Sequence, residues 1–304
     1  MNIIVLMGGN SSEKKVSIMT GNAVLDALRN QGIEAHSCIY SGEIENYLNQ
    51  LKESDLVFIA LHGGDGENGK IQALFEKEKI LYTGSNSKTS EIAINKHLTK
   101  KIMVKNNIPT PEWEFFPQST FFKKYKEYNF RYPSVIKPNE EGSTFGISIV
   151  HSYQEVLDQI QILSGFDIKS GIIVENYIKG RELTVGILNN KLLPCIEIKT
   201  NNSYYDYNAK YFDKHTEYIC PAELNKSQLL LISKYSMLLN FKLGCYDYSR
   251  VDFRMDEKGN VYCLEINTLP GLTSKSLLPK AANKSNIKFN ELVMQICNLA
   301  LKRK

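Results

Sequence analysis

The feature that most constrains the fold is the regular alternation of strand-like and helix-like segments in the first 90 residues. Short apolar runs of strand length recur, and segments whose apolar residues follow a helical period separate them. In chain order the segments read IIVLMGG, VSIMTGNAVLDALRNQG, EAHSCIY, NYLNQLKES, DLVFIAL, IQALFEKEK and ILYTG. Gly32 closes the first helical segment. This alternation predicts a parallel α/β sheet.

The pattern changes after a helical segment at residues 91–107 and a proline-containing connection, IPTPEWEFFP. A small α+β unit is predicted next, and a second one with paired strands follows it. We expect helices at 120–128, 152–165 and 226–242, and strands in YPSVIKP, GISIV, GIIVENYI, RELTVGILNN and KLLPCIEIK. A hairpin, YSRVDFRMDEKGNVYCLEIN, turns at residues 257–260. The sequence therefore predicts two or three domains.

Composition excludes several classes of protein. The 304 residues are 42% hydrophobic, which is enough to bury cores throughout the chain. The formal net charge is +4, and the terminal LKRK fits a solvated helix end better than a nucleic-acid tail. We therefore expect no nucleic-acid partner. No apolar stretch approaches the length of a membrane span, and we expect no membrane partner either.

The six cysteines form no CxxC pair and lie in largely apolar contexts. They are typical of reduced core residues, as in intracellular proteins, and not of a disulfide framework. The N-terminal sequence has no basic region before its short apolar run. The expectation from both features is a soluble, cytoplasmic protein.

The predicted hairpin carries oxygen-bearing side chains in a pattern that suits a metal ion. Asp252 lies on one strand, Glu265 and Asn267 lie two positions apart on the next, and Arg250 is close by. Residues i and i+2 of a strand point to the same face. Carboxylate and amide oxygens are the ligands that magnesium takes together with phosphate oxygens and water. The alternative is an exposed strand face with ordinary charges.

A second candidate is the turn in VIKPNEEGSTFGISIV, where Lys137 is followed by Gly-Ser-Thr-x-Gly. Backbone N–H groups, two hydroxyls and a cation are groups that cover nucleotide phosphates. The segment matches neither GxxxxGK[ST] nor GxGxxG, and a plain hairpin turn is the alternative.

Two loops follow strands of the predicted parallel sheet and should meet at its carboxyl edge. The first contains Glu13, which could simply favour the start of the helix. The second, LHGGDGENGKIQ, contains His62 and Glu67, and a lone histidine after a strand is often structural. Their shared position favours a site. A loop at 201–218, rich in tyrosine, has the length of a lid or a binding loop, although a mobile surface excursion is the alternative.

Taken in order, these motifs resemble the D-alanine–D-alanine ligase family of the ATP-grasp superfamily over essentially the whole chain. The matching segments are GGNSSEKKVS, LHGGDGENGKIQ, YTGS, NKHLTK, VIKPNEEGSTFGIS, VENYIKGRELTVGIL, YDYNAKY, CPA, SRVDF and LEINTLPGLTSKSLLP. The resemblance implies an α/β and α+β, three-domain ATP-grasp fold. Its units would be an N-terminal Rossmann-like substrate domain at 1–94, a central subdomain at 95–178, and a C-terminal subdomain at 179–304 that carries the metal site and the lid at 201–218.

The resemblance implies ATP and two magnesium (or manganese) ions as cofactors. The implied metal ligands are Asp252, Glu265 and Asn267. The implied nucleotide contacts are Lys96, Lys137, Ser143, Thr144, Glu175, Tyr177, Ile178, Glu182, Lys210 and Leu264. Lys96 and Lys137 would contact the phosphates, and Glu175, Ile178 and Glu182 the adenine and ribose.

In this family ATP phosphorylates one D-alanine, and the amine of a second D-alanine attacks the acylphosphate. The implied residues for the substrates are Glu13, His62, Lys210, Arg250, Gly271, Ser276 and Leu277. Ser143 and Tyr211 would close the site with Glu13, and Arg250 and the backbone N–H of Gly271 would form the oxyanion hole. The tyrosine-bearing YDYNAKY favours an amine as the nucleophile over a hydroxyl. The resemblance also implies a homodimer.

The sequence departs from the family pattern at four positions: Asn68, Thr144, Phe145 and Arg254. Arg254 stands where the family commonly places Met or Phe against adenine, and its guanidinium could stack on the base or point away. Two other functions stay open at this stage. One is a ligase with another acceptor, such as D-lactate, D-serine or a different amino acid. The other is an inactive nucleotide sensor, against which the intact set of candidate site residues argues.

Overall fold

The computed structural model describes residues 1–117, 120–121, 125–142, 146–165, 168–200 and 216–303. Its first sheet is parallel, as the alternation predicts, with β1 (Asn2–Gly8) between β2 (Glu34–Tyr40) and β3 (Leu56–Ile59). The strands β1 and β3 are almost wholly buried, which is typical of a parallel sheet covered on both faces. Their carboxyl ends therefore lie at one edge, where the loops with Glu13 and His62 follow.

Most helices up to residue 243 coincide with predicted segments, whereas two helices after residue 276 lie where none was predicted. The bounds of the helices are α1 (Lys14–Asn30), α2 (Leu48–Lys52), α3 (Lys70–Lys77), α4 (Ser87–Ile94), α5 (Lys96–Lys105), α6 (Tyr153–Ser164), α7 (Lys226–Leu243), α8 (Leu277–Lys284) and α9 (Phe289–Leu301). Short 3-10 turns occur at Ile44–Tyr47, Gly64–Gly66 and Tyr125–Glu127.

Two antiparallel sheets follow the parallel one. The middle sheet has the strand order β4-β7-β5-β6, and the last has the order β11-β10-β8-β12-β13 with β9 paired to β8. The bounds are β4 (Trp113–Phe116), β5 (Ser134–Pro138), β6 (Ser148–Val150), β7 (Ile172–Asn176), β8 (Gly180–Leu188), β9 (Lys191–Leu192), β10 (Ile196–Lys199), β11 (Glu217–Ile219), β12 (Tyr248–Asp256) and β13 (Val261–Asn267). A short connection between β7 and β8 therefore joins the two antiparallel sheets.

The largest hydrophobic core combines the two ends of the chain. Apolar residues of the parallel sheet and α1 pack with Leu278 of α8 and with Leu292 and Ile296 of α9, all three fully buried. Arg303, just after α9, donates to the Tyr82 carbonyl and pairs with Asp247. The C-terminal helices thus cover the N-terminal sheet although they are distant from it in sequence.

The structure corrects three expectations about secondary structure. The segment 80–84 is not a strand but contributes one isolated bridge, between Tyr82 and Val57. The helical stretch at 91–107 is split at Asn95, whose side chain accepts from Leu98 N and caps α5. A capping side chain competes with the helix interior, which explains the break. The strand β11 begins inside the predicted loop at 201–218. Residues 201–215 of that loop lie outside the described residues. Part of the predicted helix at 120–128 also lies outside them.

The six cysteines are all free, and five of them are buried. Burial raises the pKa of the Cys38 thiol to about 11. Five of the six therefore lie in the core, as the sequence predicts, whereas Cys220 is only partly buried. Within the described ranges, no helix combines the length and the apolar character that crossing a membrane requires.

Candidate active site

Two cavities meet at Glu265, which lines both. The first cavity lies between the carboxyl edge of the parallel sheet and the end of β13, and its lining includes Glu13, His62, Lys96, Arg250, Asn267 and Gly271. The second cavity lies between the two antiparallel sheets, and its lining includes Lys137, Glu175, Tyr177, Glu182, Asp252 and Arg254. Ile178 and Leu264 also line the second cavity. The hairpin of β12 and β13 thus forms the wall between the two spaces.

The hairpin places its polar side chains in direct opposition. Asp252 is the register partner of Glu265, and Arg250 is the partner of Asn267. Because these positions are two apart on each strand, all four side chains share one face. A register shift follows immediately after Asp252. The sequence-based prediction that the oxygen ligands face each other across the ladder agrees with this register.

Asp252 is held from two sides. Arg250 donates to both of its carboxylate oxygens, from Nε at 2.9 Å and from Nη2 at 2.7 Å. Thr184, the register partner of Asp252 on β8, donates from Oγ1 at 2.5 Å. A bidentate Arg–carboxylate pair has a fixed geometry, so the orientation of Asp252 is set before any ligand binds.

The donor set of the hairpin suits magnesium that also binds phosphate. Among the residues that the structure describes, no three His, Cys, Asp or Glu side chains are grouped to hold a metal by themselves. Two carboxylates and one amide are nevertheless the kind of incomplete oxygen set that magnesium uses, because phosphate oxygens and water complete its coordination. The residues therefore fit the ion in the presence of a nucleotide.

Lys96 occupies the first position of α5 and reaches the junction of the cavities. Its Nζ donates to the Glu141 carbonyl at 2.7 Å and lies 3.8 Å from Glu265 Oε2. The carbonyl of Asn139 accepts from the backbone of Lys96, and the Asn139 side chain accepts from His97 N. Burial lowers the pKa of Lys96, and Glu265 opposes this effect. The start of α5 is thereby fixed to the segment after β5.

Glu175 lies between two buried lysines. Lys137 on β5 donates to its Oε1 at 2.5 Å, and Lys100 on α5 is 2.8 Å from its Oε2. Burial by itself would raise the pKa of Glu175, but the two ammonium groups outweigh this effect and lower it to about 2. Lys137 and Glu175 line the second cavity, whereas Lys100 lies behind them.

Arg254 does not point away from the second cavity but fixes its far wall. It lies opposite Glu182 in the β12–β8 register, and its Nη1 donates to Glu182 Oε2 at 3.0 Å. Its Nε donates to the Ile178 carbonyl at 3.0 Å, and its Nη2 to Tyr177 Oη at 3.2 Å. Its guanidinium carbon also lies over the Tyr177 ring, 5.4 Å from the ring centroid, so Arg254 is held by a cation–π contact as well as by hydrogen bonds.

Glu13 and His62 lie together at the edge of the parallel sheet. Glu13 is 8% exposed, and a Cβ built on Gly63 would lie 2.6 Å from its Oε2. Gly63 also has φ +64, so two constraints require glycine there. His62 Nε2 is 2.9 Å from Thr20 Oγ1, and its Nδ1 is 3.6 Å from Glu67 Oε1. His62 is therefore held on both ring nitrogens and directed to the first cavity.

The turn after β13 brings Gly271 and Ser276 together. A Cβ on Gly271 would lie 3.0 Å from Ser276 Oγ and 4.0 Å from His62 Cε1. Ser276 Oγ accepts from Thr273 N at 3.0 Å. The side chain of Leu277 does not reach the cavity but packs in the largest hydrophobic core, so only its backbone can face a ligand.

Four predicted site residues lie outside the described part of the chain: Ser143, Thr144, Lys210 and Tyr211. Phe145 also lies outside it. Asn68 lies in a turn, where its side chain donates to Asp65 and accepts from Lys70 N.

Sequence reasoning missed three residues that hold the site: Lys100, Thr184 and the carbonyl of Glu141. Lys100 had a usable signal, because it is four positions after Lys96 on one helix and therefore on the same face. Thr184 had none, since its contact with Asp252 depends on the register between β8 and β12.

Comparisons with known proteins match the chain to one family over nearly its whole length. The family model "D-ala D-ala ligase C-terminus" matches residues 102–298, and "D-ala D-ala ligase N-terminus" matches residues 35–85. The D-alanine–D-alanine ligase of Saccharophagus degradans is 39% identical over 96% of this chain and 92% of its own. The structure of the D-alanine–D-alanine ligase from Bacillus anthracis, solved as a complex with ATP, is 33% identical in sequence, with a TM-score of 0.85. The match covers 100% of this chain and 98% of the Bacillus anthracis chain.

A third relative is named for a different second substrate. The VanG D-Ala:D-Ser ligase of Enterococcus faecalis is 27% identical with a TM-score of 0.83, covering 98% of this chain and 99% of its own. The fold and the two joined cavities define an ATP-grasp ligase. Within that class, the chain belongs to the D-alanine–D-alanine ligase family.

Proposed function

We propose that this protein joins two D-alanine molecules to D-alanyl-D-alanine, with ATP converted to ADP and phosphate, for peptidoglycan precursor synthesis. The observation that carries the proposal is the shared wall of the two cavities. One face of the hairpin carries Arg250, Asp252, Glu265 and Asn267. It separates the first cavity, which contains Glu13, from the second cavity, which contains Lys137. A phosphoryl group bound at this junction would be within reach of both spaces.

The second cavity takes the nucleotide in this proposal. The backbone of Ile178 and the carboxylate of Glu182 contact adenine and ribose, and Lys96 and Lys137 bind the phosphates. Asp252, Glu265 and Asn267 would hold two magnesium (or manganese) ions, which neutralise the charge that develops on the phosphates. Arg254 keeps Glu182 and Ile178 in place, and its planar group stacks on the base.

The first cavity takes the first D-alanine. The Glu13 carboxylate pairs with its ammonium group, with His62 beside it, and this contact directs the substrate carboxylate toward Arg250 and Glu265. That carboxylate attacks the terminal phosphorus of ATP, a new O–P bond forms, and ADP leaves. Ser143, Tyr211 and the 201–218 lid would exclude water from the acylphosphate.

The second D-alanine attacks as a neutral amine. Its nitrogen, which has already given up one proton to solvent, forms a bond to the acyl carbon, and the carbon–oxygen bond to phosphate breaks. The nitrogen then gives up a second proton to the leaving phosphate. Arg250 and the N–H of Gly271 stabilise the negative oxygen of the tetrahedral intermediate. Ser276, the backbone of Leu277 and Lys210 bind the carboxylate of this second substrate.

Domain organisation, assembly and location are part of the proposal. The three sheets fall one each into 1–94, 95–178 and 179–304, which supports these units. The homodimer rests on the family resemblance. The cytoplasmic location is supported by the free cysteines.

The test is an acceptor screen with the purified chain, ATP and magnesium. ADP release is measured with D-alanine alone, and then with a low concentration of D-alanine plus D-serine, D-lactate or L-alanine. We expect D-alanyl-D-alanine as the main product, identified by mass spectrometry. No dipeptide at saturating D-alanine, together with turnover on another acceptor, would overturn the substrate assignment.

A further inference from the structure

Lys100 is a buried cation close to the nucleotide cavity that none of the proposed catalytic steps uses. Its side chain is 0% exposed. Its Nζ donates to Thr110 Oγ1 at 2.7 Å and to the Pro111 carbonyl at 3.3 Å, and lies 2.8 Å from Glu175 Oε2. Two hydrogen-bond acceptors and one carboxylate oxygen at ion-pair distance surround the ammonium group. Lys100 is therefore fully committed to protein atoms and cannot bind a ligand directly.

Glu175 connects Lys100 to the cavity because it contacts both Lys100 and Lys137. Its two carboxylate oxygens face different lysines, Oε1 toward Lys137 and Oε2 toward Lys100. All three side chains are at most 5% exposed, so water screens their charges poorly. Only Lys137 and Glu175 line the cavity. We call these three residues the lysine–glutamate cluster.

The charge of this cluster depends on Lys100. With Lys137 and Glu175 alone, a cation would be paired with an anion, and the pair would offer no net positive charge to a phosphate. Lys100 adds a second cation, which leaves the cluster with one positive charge in excess. It also forms an ion pair with the second carboxylate oxygen, Oε2, while Lys137 donates its hydrogen bond to Oε1.

We propose that Lys100 is a positioning residue for nucleotide binding: it balances the charge of Glu175, so that Lys137 is held in place by Glu175 and still presents its positive charge to the nucleotide phosphates. The helix α5 then contributes two lysines to nucleotide binding. Lys96 acts from its first turn at the cavity wall, and Lys100 acts one turn later from behind the wall.

The experiment compares variants that change the charge of the cluster in opposite directions. The Kd of ADP with magnesium is measured by calorimetry, and the KM values for ATP and D-alanine by ADP release. Lys100→Met should weaken ADP binding by about tenfold or more and raise the KM for ATP, because the cluster becomes neutral. The KM for D-alanine should change by less than about twofold, since the first cavity does not include Lys100.

The double variant Lys100→Met with Glu175→Gln separates charge balance from packing. It restores one positive charge in excess while leaving the Lys100 site truncated. Measured together with Glu175→Gln alone, it should show that Lys100→Met weakens ADP binding less in the Glu175→Gln background than in the wild type. Lys100→Arg, which keeps the charge, should also retain more affinity than Lys100→Met. Lys101→Met removes an exposed lysine from the next position of the helix and should leave both KM values unchanged.

Two outcomes would overturn the role of Lys100: wild-type ADP affinity in Lys100→Met, or a Lys100→Met substitution that weakens ADP binding as much in the Glu175→Gln background as in the wild type. The inference rests on the proposed use of ATP, so wild-type binding is measured first. A wild-type chain that binds no ADP would contradict the proposed function itself. Wild-type binding with unaffected variants would contradict only this role.

Discussion

Asp252 and Glu265 lie directly opposite each other on β12 and β13, and each lines the second cavity, in which we propose that the nucleotide binds. The two carboxylates differ in their surroundings. Asp252 is held by Arg250 and Thr184, whereas Glu265 lies 3.8 Å from Lys96 and is 33% exposed. Glu265 is thus the less constrained of the two proposed metal ligands and lies at the junction with the amino-acid cavity.

Replacing Glu265 by Gln should abolish most activity while leaving the fold intact. The change removes a charged metal ligand but keeps the shape of a partly exposed side chain. We expect kcat to fall by about 100-fold or more and the magnesium requirement to rise. ADP release over a magnesium titration measures both. Glu257→Gln, at the exposed turn of the same hairpin, is the matched control. Normal turnover of Glu265→Gln at low magnesium would refute the assigned role.

Replacing Glu13 by Gln should weaken the binding of the first D-alanine selectively. The carboxylate is buried at the cavity wall, and an amide cannot match its attraction for an ammonium group. The KM for the first D-alanine should rise by about 10- to 100-fold, and the Kd of ADP should stay unchanged. Asp26→Asn, on the exposed side of α1, controls for charge. An equal loss of ADP affinity would contradict the assignment.

Replacing Arg254 by Lys should loosen the adenine wall. A lysine keeps the charge but cannot reach the Ile178 carbonyl, Glu182 and Tyr177 together, because it lacks the planar fork. We expect the KM for ATP to rise by about tenfold with little change in the KM for D-alanine. Arg254→Met should behave similarly, because it also releases Glu182. If Arg254→Lys kept the wild-type KM for ATP, the three bonds would be irrelevant to the nucleotide.

The stability of the protein should depend on Glu175 at low pH. Its folded-state pKa of about 2 lies below the ordinary value of 4.5. A carboxylate with a lowered pKa stabilises the fold above its unfolded-state value, and this contribution is lost as the pH falls from 4.5 toward 2. The difference in unfolding free energy between the wild type and Glu175→Gln should therefore shrink over that range, by on the order of 2 kcal/mol. Urea unfolding at several pH values measures it, and a pH-independent difference would contradict the prediction.

Local patterns were sufficient to predict much of the site. The period of two in LEIN placed Glu265 and Asn267 on one face, and the hairpin turn placed Asp252 opposite them, because strand geometry and turn length define register over a short distance. The βα alternation likewise predicted the parallel sheet with Glu13 and His62 at its carboxyl edge. The orientation of Arg254 could not be predicted from local patterns. Its sequence position allowed two orientations, and only the contacts of its guanidinium distinguish them.

The sequence by itself determined most of the element types, the shared face of the hairpin residues and the family. Tertiary structure alone decided that Lys100 and Lys137 meet on Glu175, that Thr184 holds Asp252, and that α9 covers the N-terminal sheet. These contacts join residues far apart in the chain. They depend on how helices and sheets pack in three dimensions, and neither local periodicity nor turn chemistry carries that information.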